Sequence, residues 1–182
     1  MPDYASRDPS DLFIGQADGT FKEAADAAGI LNFDRGRGAA LADFAMDGRL
    51  DLVELNYGQP VRIWHNLGTD APANWIGIRL SEPGPNRDAV GAWIEVQVGK
   101  TTLRRELTVG GGHAGGELGW THFGLGSATE VQVRIQWPDG EVGLWQTASA
   151  NHFVLIDRGL NRIVPQLISS EILPLQPPEW RM

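Results

Sequence analysis

The chain has 182 residues, 42% of them hydrophobic, which is enough to bury a real core and excludes a disordered polymer. Its 23 acidic against 15 basic residues leave a net charge of -8, which disfavours a grip on phosphate backbones, so no nucleic-acid partner is expected and cations or basic partners are favoured. With no cysteine there is neither a disulfide nor a thiolate metal site, and no run approaches the roughly 18 apolar residues of a membrane span.

The first residues lack the basic and apolar regions of a secretory signal, so any export leader is expected upstream of the sequence given. Gly at 23 and Pro at 11, with β-branched and aromatic residues in short runs between them, predict an all-β chain of short strands and tight turns. Leu12 to Ile14 and Gln16 to Phe21 read as a hairpin turning at Asp18-Gly19, whose positive φ angles suit a two-residue turn. Lys22 to Gly29 is rich in helix formers and ends in glycine, so it is expected to form a short helix. Small residues from Gly36 to Phe44 give a strand, followed by an acidic turn and strands over Leu50–Leu55 and Val61–Asn66.

After the turn-rich Leu67 to Ala73 the pattern changes to longer alternating strands, which places a domain boundary near residue 72. Ile76, Ile78 and Leu80 share one face; so do Ala92, Ile94, Val96 and Val98, and again Val131, Val133 and Ile135. Further strands are expected over Thr101–Val109, Trp120–Leu125, Glu141–Gln146 and Phe153–Asp157, with Pro138-Asp139-Gly140 as a turn. About seven strands suffice for an antiparallel β-sandwich or an open barrel. From residue 160 onward Pro165, Pro174, Pro177 and Pro178 interrupt an apolar tail, which is expected to be an irregular arm packed on its own domain or a neighbour. The expected organisation is therefore residues 1–72, 73–159 and 160–182.

The chemistry concentrates in Asp43 to Asp51, where acidic residues stand first, fifth and ninth and Gly48 stands sixth. Calcium takes six to eight hard oxygens, and a tight loop can present Asp43, Asp47 and Asp51 inward and add the Arg49 carbonyl, with Gly48 allowing the bend. Oxygen donors without His or Cys favour calcium, and magnesium after it, over zinc or copper. Ala45 supplies no oxygen at the third place, which should weaken binding by on the order of one to two decades, and the Arg49 charge is unfavourable. The same turn can also stand without metal, held by Gly48 and by Asp side chains capping backbone N–H groups.

This loop resembles that of the FG-GAP or VCBS repeat, a blade of calcium-binding β-propellers, with Asp43, Asp47, Gly48 and Asp51 on its pattern. Asp18 to Phe21, the Ala-rich run to Gly29 and Gly36 to Ala40 resemble the lead into the last repeat of cartilage-acidic-protein-like proteins. Asn74-Trp75, Asn86 to Ala92, Gly110 to Gly112, His122 to Gly126 and Trp137 to Gly140 resemble their C-terminal ASPIC/UnbV domain. The resemblance, over roughly residues 12–158, implies a partial propeller blade followed by the β domain, a secreted or periplasmic setting and a calcium-binding or adhesion role. A lone blade leaves sheet edges and apolar faces open, so the missing blades are expected from a longer chain, a partner or self-association.

In the second region Asn86, Arg87 and Asp88 are read as loop residues bonding their own backbone, Gly110 to Gly119 as a connector, and His122 as a packed histidine bonded to backbone. An acid-base site from His113, His122 and Asp88 lacks any activated nucleophile motif. Most of the seven tryptophans are expected in the core, with Trp93 facing outward. The leading expectation is a non-catalytic, calcium-associated binding or adhesion module with a protein or glycan ligand. A glycan-binding sandwich is the alternative, and an enzyme with a site between blade and sandwich a third reading.

Overall fold

The computed structural model describes residues 9–16, 18–69, 73–111, 116 and 119–166. Contacts divide them into a first unit drawn from Met1–Phe44, Arg49–Asp70 and Thr108–Gly119 and a second drawn from Ala45–Gly48, Ala71–Leu107 and Trp120–Met182. The expected boundary at residue 72 falls outside the described residues.

In the first unit β1 (Phe13–Gly15) pairs antiparallel with β2 (Phe21–Glu23), Gly15 opposite Phe21. The expected two-residue turn is a wider one. Gln16 N–H bonds the Thr20 carbonyl, Gly19 N–H bonds the Gln16 carbonyl, and Gly19 supplies the positive φ, 84°. Asp18 Oδ1 accepts from the Thr20 N–H and hydroxyl at 3.0 and 2.6 Å, closing the loop as an Asx turn.

The helix expected over Lys22 to Gly29 does not form; among the described residues there is no α-helix. The hairpin takes Lys22 and Glu23, and what remains is one turn in which Ala28 N–H bonds the Ala24 carbonyl before Gly29, φ 72°, ends it. A helix shorter than about 12–15 residues is marginal without packing, so strand pairing prevails. The Glu23 carboxylate accepts from the N–H groups of Ala25 and Leu12, fixing the turn to the hairpin.

A three-stranded antiparallel sheet follows, in the order β3 (Gly36–Ala42), β4 (Asp51–Asn56), β5 (Arg62–Trp64), with an irregularity between Gly36 and Gly38. One face of β4 buries Glu54, whose carboxylate accepts from Ser10 Oγ, Asn32 Nδ2 and Trp64 Nε1 at 2.9, 3.0 and 3.2 Å. The other face leaves Leu55 and Ile63 exposed.

The second unit is a β-sandwich of β6 (Asn74–Ser81), β7 (Trp93–Val98), β8 (Thr101–Glu106), β9 (Thr121–Gly126), β10 (Glu130–Gln136), β11 (Gln146–Ser149), β12 (His152–Asp157) and β13 (Arg162–Pro165). One four-stranded sheet runs β11-β10-β7-β8 and the other β13-β12-β6-β9; every pair is antiparallel except β6 with β12. Two separate sheets face each other across one core, so the open barrel is not formed. The alternation does what its period demands. Ile76, Ile78 and Leu80 of β6 meet Ile94 and Val96 of β7 and Val133 and Ile135 of β10 in that core.

Two strand expectations are corrected. Glu141 to Gln146 is not one strand. Gly143 N–H still bonds the Ile135 carbonyl, but the ladder resumes only at Gln146 opposite Val133, so an extra residue is bulged out beside Trp145. The expected arm contributes β13, which pairs with β12 from Asp157↔Arg162 to Val154↔Pro165 and packs Ile163 on the core. Proline is tolerated at the end of this edge strand, where one N–H has no ladder partner to serve. The remainder of the arm, from residue 167, lies outside the described residues.

Candidate functional site

The loop from Asp43 to Asp51 joins β3 to β4, and each acidic position has a definite place. Asp43 follows the end of β3, half-buried, and Asp47 is half-buried in a turn where Met46 and Gly48 take φ of 54° and 85°. Arg49 is exposed, its side chain lying beside Gly68. Asp51 opens β4 and is buried. Its Oδ1 accepts from Asn66 N–H at 2.8 Å and lies 2.9 Å from His65 Nδ1, while Oδ2 faces Phe44 N–H at 3.4 Å.

The Asn66 N–H, aided by His65, holds the Asp51 carboxyl below the ordinary value of 3.8 against the opposing effect of burial. A carboxylate offers about four lone-pair directions, and three are thus engaged by the protein. Among the described residues no three His, Cys, Asp or Glu side chains converge as a metal-holding group. The donors that Asp43, Asp47 and the Arg49 carbonyl offer remain of the hard-oxygen kind that suits calcium, and Ala45 remains without one.

The loop tip, Ala45 to Gly48, clusters with the sandwich. His122 Nε2 donates to the Gly48 carbonyl at 2.8 Å, and a methyl group on Gly48 would land inside the Trp75 indole. Trp75 stacks near-parallel to His122 and tilts onto Phe153, which in turn meets Trp120 at 4.9 Å between ring centroids. His122 is therefore a packed histidine bonded to backbone, as its setting beside Phe123 suggests. The demand on Gly48 is double: a left-handed φ and room for an indole.

The other candidate positions are structural. Asn86 exchanges two bonds with the Val90 backbone, both 3.0 Å, and so braces the turn holding Arg87 and Asp88. His113 lies outside the described residues, and of the Gly110 to Gly119 run a single bridge, Gly110 to Gly116, is described. His65 is bonded to Asp51, and His152 Nδ1 lies 2.7 Å from the Ala150 carbonyl.

The expectation that most tryptophans are core is corrected. Trp75 and Trp137 are buried, whereas Trp64, Trp93 and Trp120 are half-buried and Trp145 is 37% exposed. Trp93 faces outward as expected, beneath the Arg104 guanidinium, 4.1 Å from its centroid.

Sequence reading missed the role of Arg158. It lies over Trp137 and donates to Glu82 at 2.9 Å, to Asp139 at 2.6 Å and to Glu141, tying the β12–β13 turn to the Pro138–Gly140 turn. Three carboxylates raise the already high pKa of the guanidinium, and Arg158 in turn holds the Asp139 carboxyl low. No local pattern marks this cluster, because its members come from three separate segments.

Comparison with known proteins places similarity on the same unit. The sequence model of the family described as ASPIC and UnbV matches residues 82–162, which hold β7 through β12. The chain is similar to Cartilage acidic protein 1 of Homo sapiens, 38% identical over 88 residues, which is 46% of this chain and 13% of that protein. It is 35% identical over 88 residues to the proteins of that name from Xenopus tropicalis and Mus musculus, in each case 46% of this chain and 14% of the relative. The chain therefore matches about one seventh of the length of these relatives.

Proposed function

We propose that this chain is a non-catalytic binding module of an extracellular protein, with the sandwich as the ligand-bearing unit and the Asp43–Asp51 loop as a weak calcium-associated turn. The observation that carries the reading is the closed sandwich, whose strands β7 to β12 coincide with the stretch matched by the ASPIC and UnbV model. Calcium would draw on the carboxylates of Asp43 and Asp47, which would have to close in on it, on the carbonyl of Arg49 and on the one lone-pair direction that Asn66, His65 and Phe44 leave to Asp51, with water in place of the ligand Ala45 omits.

The test is a thermal melt over a calcium titration to about 10 mM, the range of weak extracellular calcium modules. A ligand bound only by the folded state stabilises it by about 1.4 kcal/mol at ten times its Kd, so the melting temperature must climb. The Asp47→Asn variant should climb less. No shift in either protein rejects the calcium reading.

The first unit supports a further part of the proposal. Leu55 and Ile63, on one face of the β3-β4-β5 sheet, are 50% and 62% exposed, and Gly38 and Ala40 of β3 keep that face low enough for another sheet to approach. We read it as a propeller-type blade whose open face is covered by neighbouring blades of a longer chain or by self-association. Analytical ultracentrifugation tests the alternative built into that reading: a species that stays monomeric at high concentration rejects self-association.

A further inference from the structure

The outward face of the β11-β10-β7-β8 sheet carries no aliphatic side chain on its strands. Its middle is a ladder of aromatic and planar polar groups. Arg104 lies over Trp93 and donates to Gln136 Oε1 at 2.9 Å; Arg134 lies over Trp145, 4.4 Å from the ring centroid, and donates to Glu95 Oε2 at 2.7 Å. Glu95 also stands 3.7 Å from Arg104, so one carboxylate sits between two guanidinium groups and links the two indoles. The next row of the face, Gln97 beside Gln132, adds amides, with Gln132 bonded to the Thr147 hydroxyl.

We propose that this face binds a neutral oligosaccharide laid across the strands. A pyranose ring presents an apolar C–H face and a rim of hydroxyls, each both donor and acceptor. The ring surface that half-buried Trp93 and 37% exposed Trp145 leave uncovered beside their guanidinium partners suits the first; guanidinium, carboxylate and amide groups, with paired donors or acceptors, suit the second. The electrostatics select the ligand class. Two arginines are balanced locally by Glu95 and by Glu106, which stands opposite Trp93, and Glu130 at the far end of β10 adds one more carboxylate, so an anion gains no net attraction. The chain's negative charge further disfavours sulfated or nucleic polymers.

The exposed aliphatic side chains near the face, Val142 opposite Gln136 and Leu144 before Trp145, stand at its β11 edge, so its middle lacks the apolar pockets in which a protein partner's binding energy concentrates. The groups are also held in place before any ligand arrives. Glu95 is 15% exposed and fixed by two partners, while Arg104 stays 46% and Trp145 37% exposed, oriented yet open. Little side-chain entropy is then lost on binding. This inference rests on the sandwich being a binding unit, and uses no residue of the calcium loop.

The experiment probes the full chain on an array of neutral gluco-, manno-, xylo- and galacto-oligosaccharides, with sulfated glycans and acidic peptides beside them. Tryptophan fluorescence titration with the retained sugars follows, all in EDTA. At least one neutral sugar is expected to bind, with a shift in indole emission and about a tenfold loss of affinity in Trp145→Ala, while Trp145→Phe keeps most of it. Gln136→Ala should weaken binding severalfold at an unchanged melting temperature, and decides the matter if a tryptophan variant fails to fold. Retention of no neutral sugar overturns the proposal. So does binding that Trp145→Ala and Gln136→Ala both leave unchanged, or retention of only the sulfated glycans or acidic peptides. Because EDTA is present throughout, failure of the calcium reading leaves this outcome untouched.

Discussion

Asp51 holds the Asn66 N–H, the His65 ring and the Phe44 N–H with one buried carboxylate, so its charge and its shape contribute separately. Asp51→Asn keeps the shape but turns an amide NH2 toward donors, and should cost about 1–3 kcal/mol in urea unfolding at neutral pH. Because the folded-state pKa lies below 3.8, the stabilisation is complete above that value and fades as pH falls through the depressed one. The variant should therefore lose less stability than the parent as pH falls below the ordinary value of 3.8, which urea titrations at stepped pH would read. Asp139, held low first by Arg158, and Asp18, held low first by Thr20, act with the same sign, but both are exposed, which makes each effect small, and salt will screen the Asp139 ion pair. Gly48→Ala meets both the positive φ and the Trp75 ring, and should cost about 2–4 kcal/mol. The need for glycine there was legible from the turn. Its reason was only half so, since Trp75 is distant in sequence and nothing local points to it.

At the scale of elements, strands with one dry face announced themselves: β7 and β10 alternate with period two because one side meets the core and the other is open to water, whereas the second side of β6 is itself covered at Trp75 and Gly77, where Phe153 packs. Where composition competed with pairing, pairing prevailed. The run after Phe21 has helical composition, yet its first residues complete a hairpin and too few remain to nucleate a helix. Strand β13 was hidden by proline, which reads as a breaker until an edge position with a free N–H side is available. A chain ending at Leu160 loses this strand and the burial of Ile163, and exposes the edge of β12. Compared with a chain ending at Gln166, it should be less stable by about 2–4 kcal/mol, with a greater tendency to aggregate, as urea midpoints and light scattering would show.

For the molecule as a whole, the described core cluster lies entirely in the second unit, whereas the first exposes Phe21, Leu67 and Ile63 at 72%, 82% and 62%. Amides of β3 to β5 should accordingly exchange hydrogen sooner than those of β6, β7, β10 and β12, which mass-spectrometric exchange at peptide resolution would resolve; equal protection would contradict the reading of an incomplete blade. The sequence by itself determined the all-β class, the alternating faces of the sandwich, the acidic turn and the outward Trp93, because each follows from local period or turn chemistry. Only the tertiary structure decided that Asp51 is engaged by Asn66 and His65, that Gly48 lies against Trp75, that Arg158 gathers three carboxylates, and that Trp93 and Trp145 share one open face. Those relations join residues far apart in sequence, and they come into being only once strand register and sheet order have brought them within bonding distance.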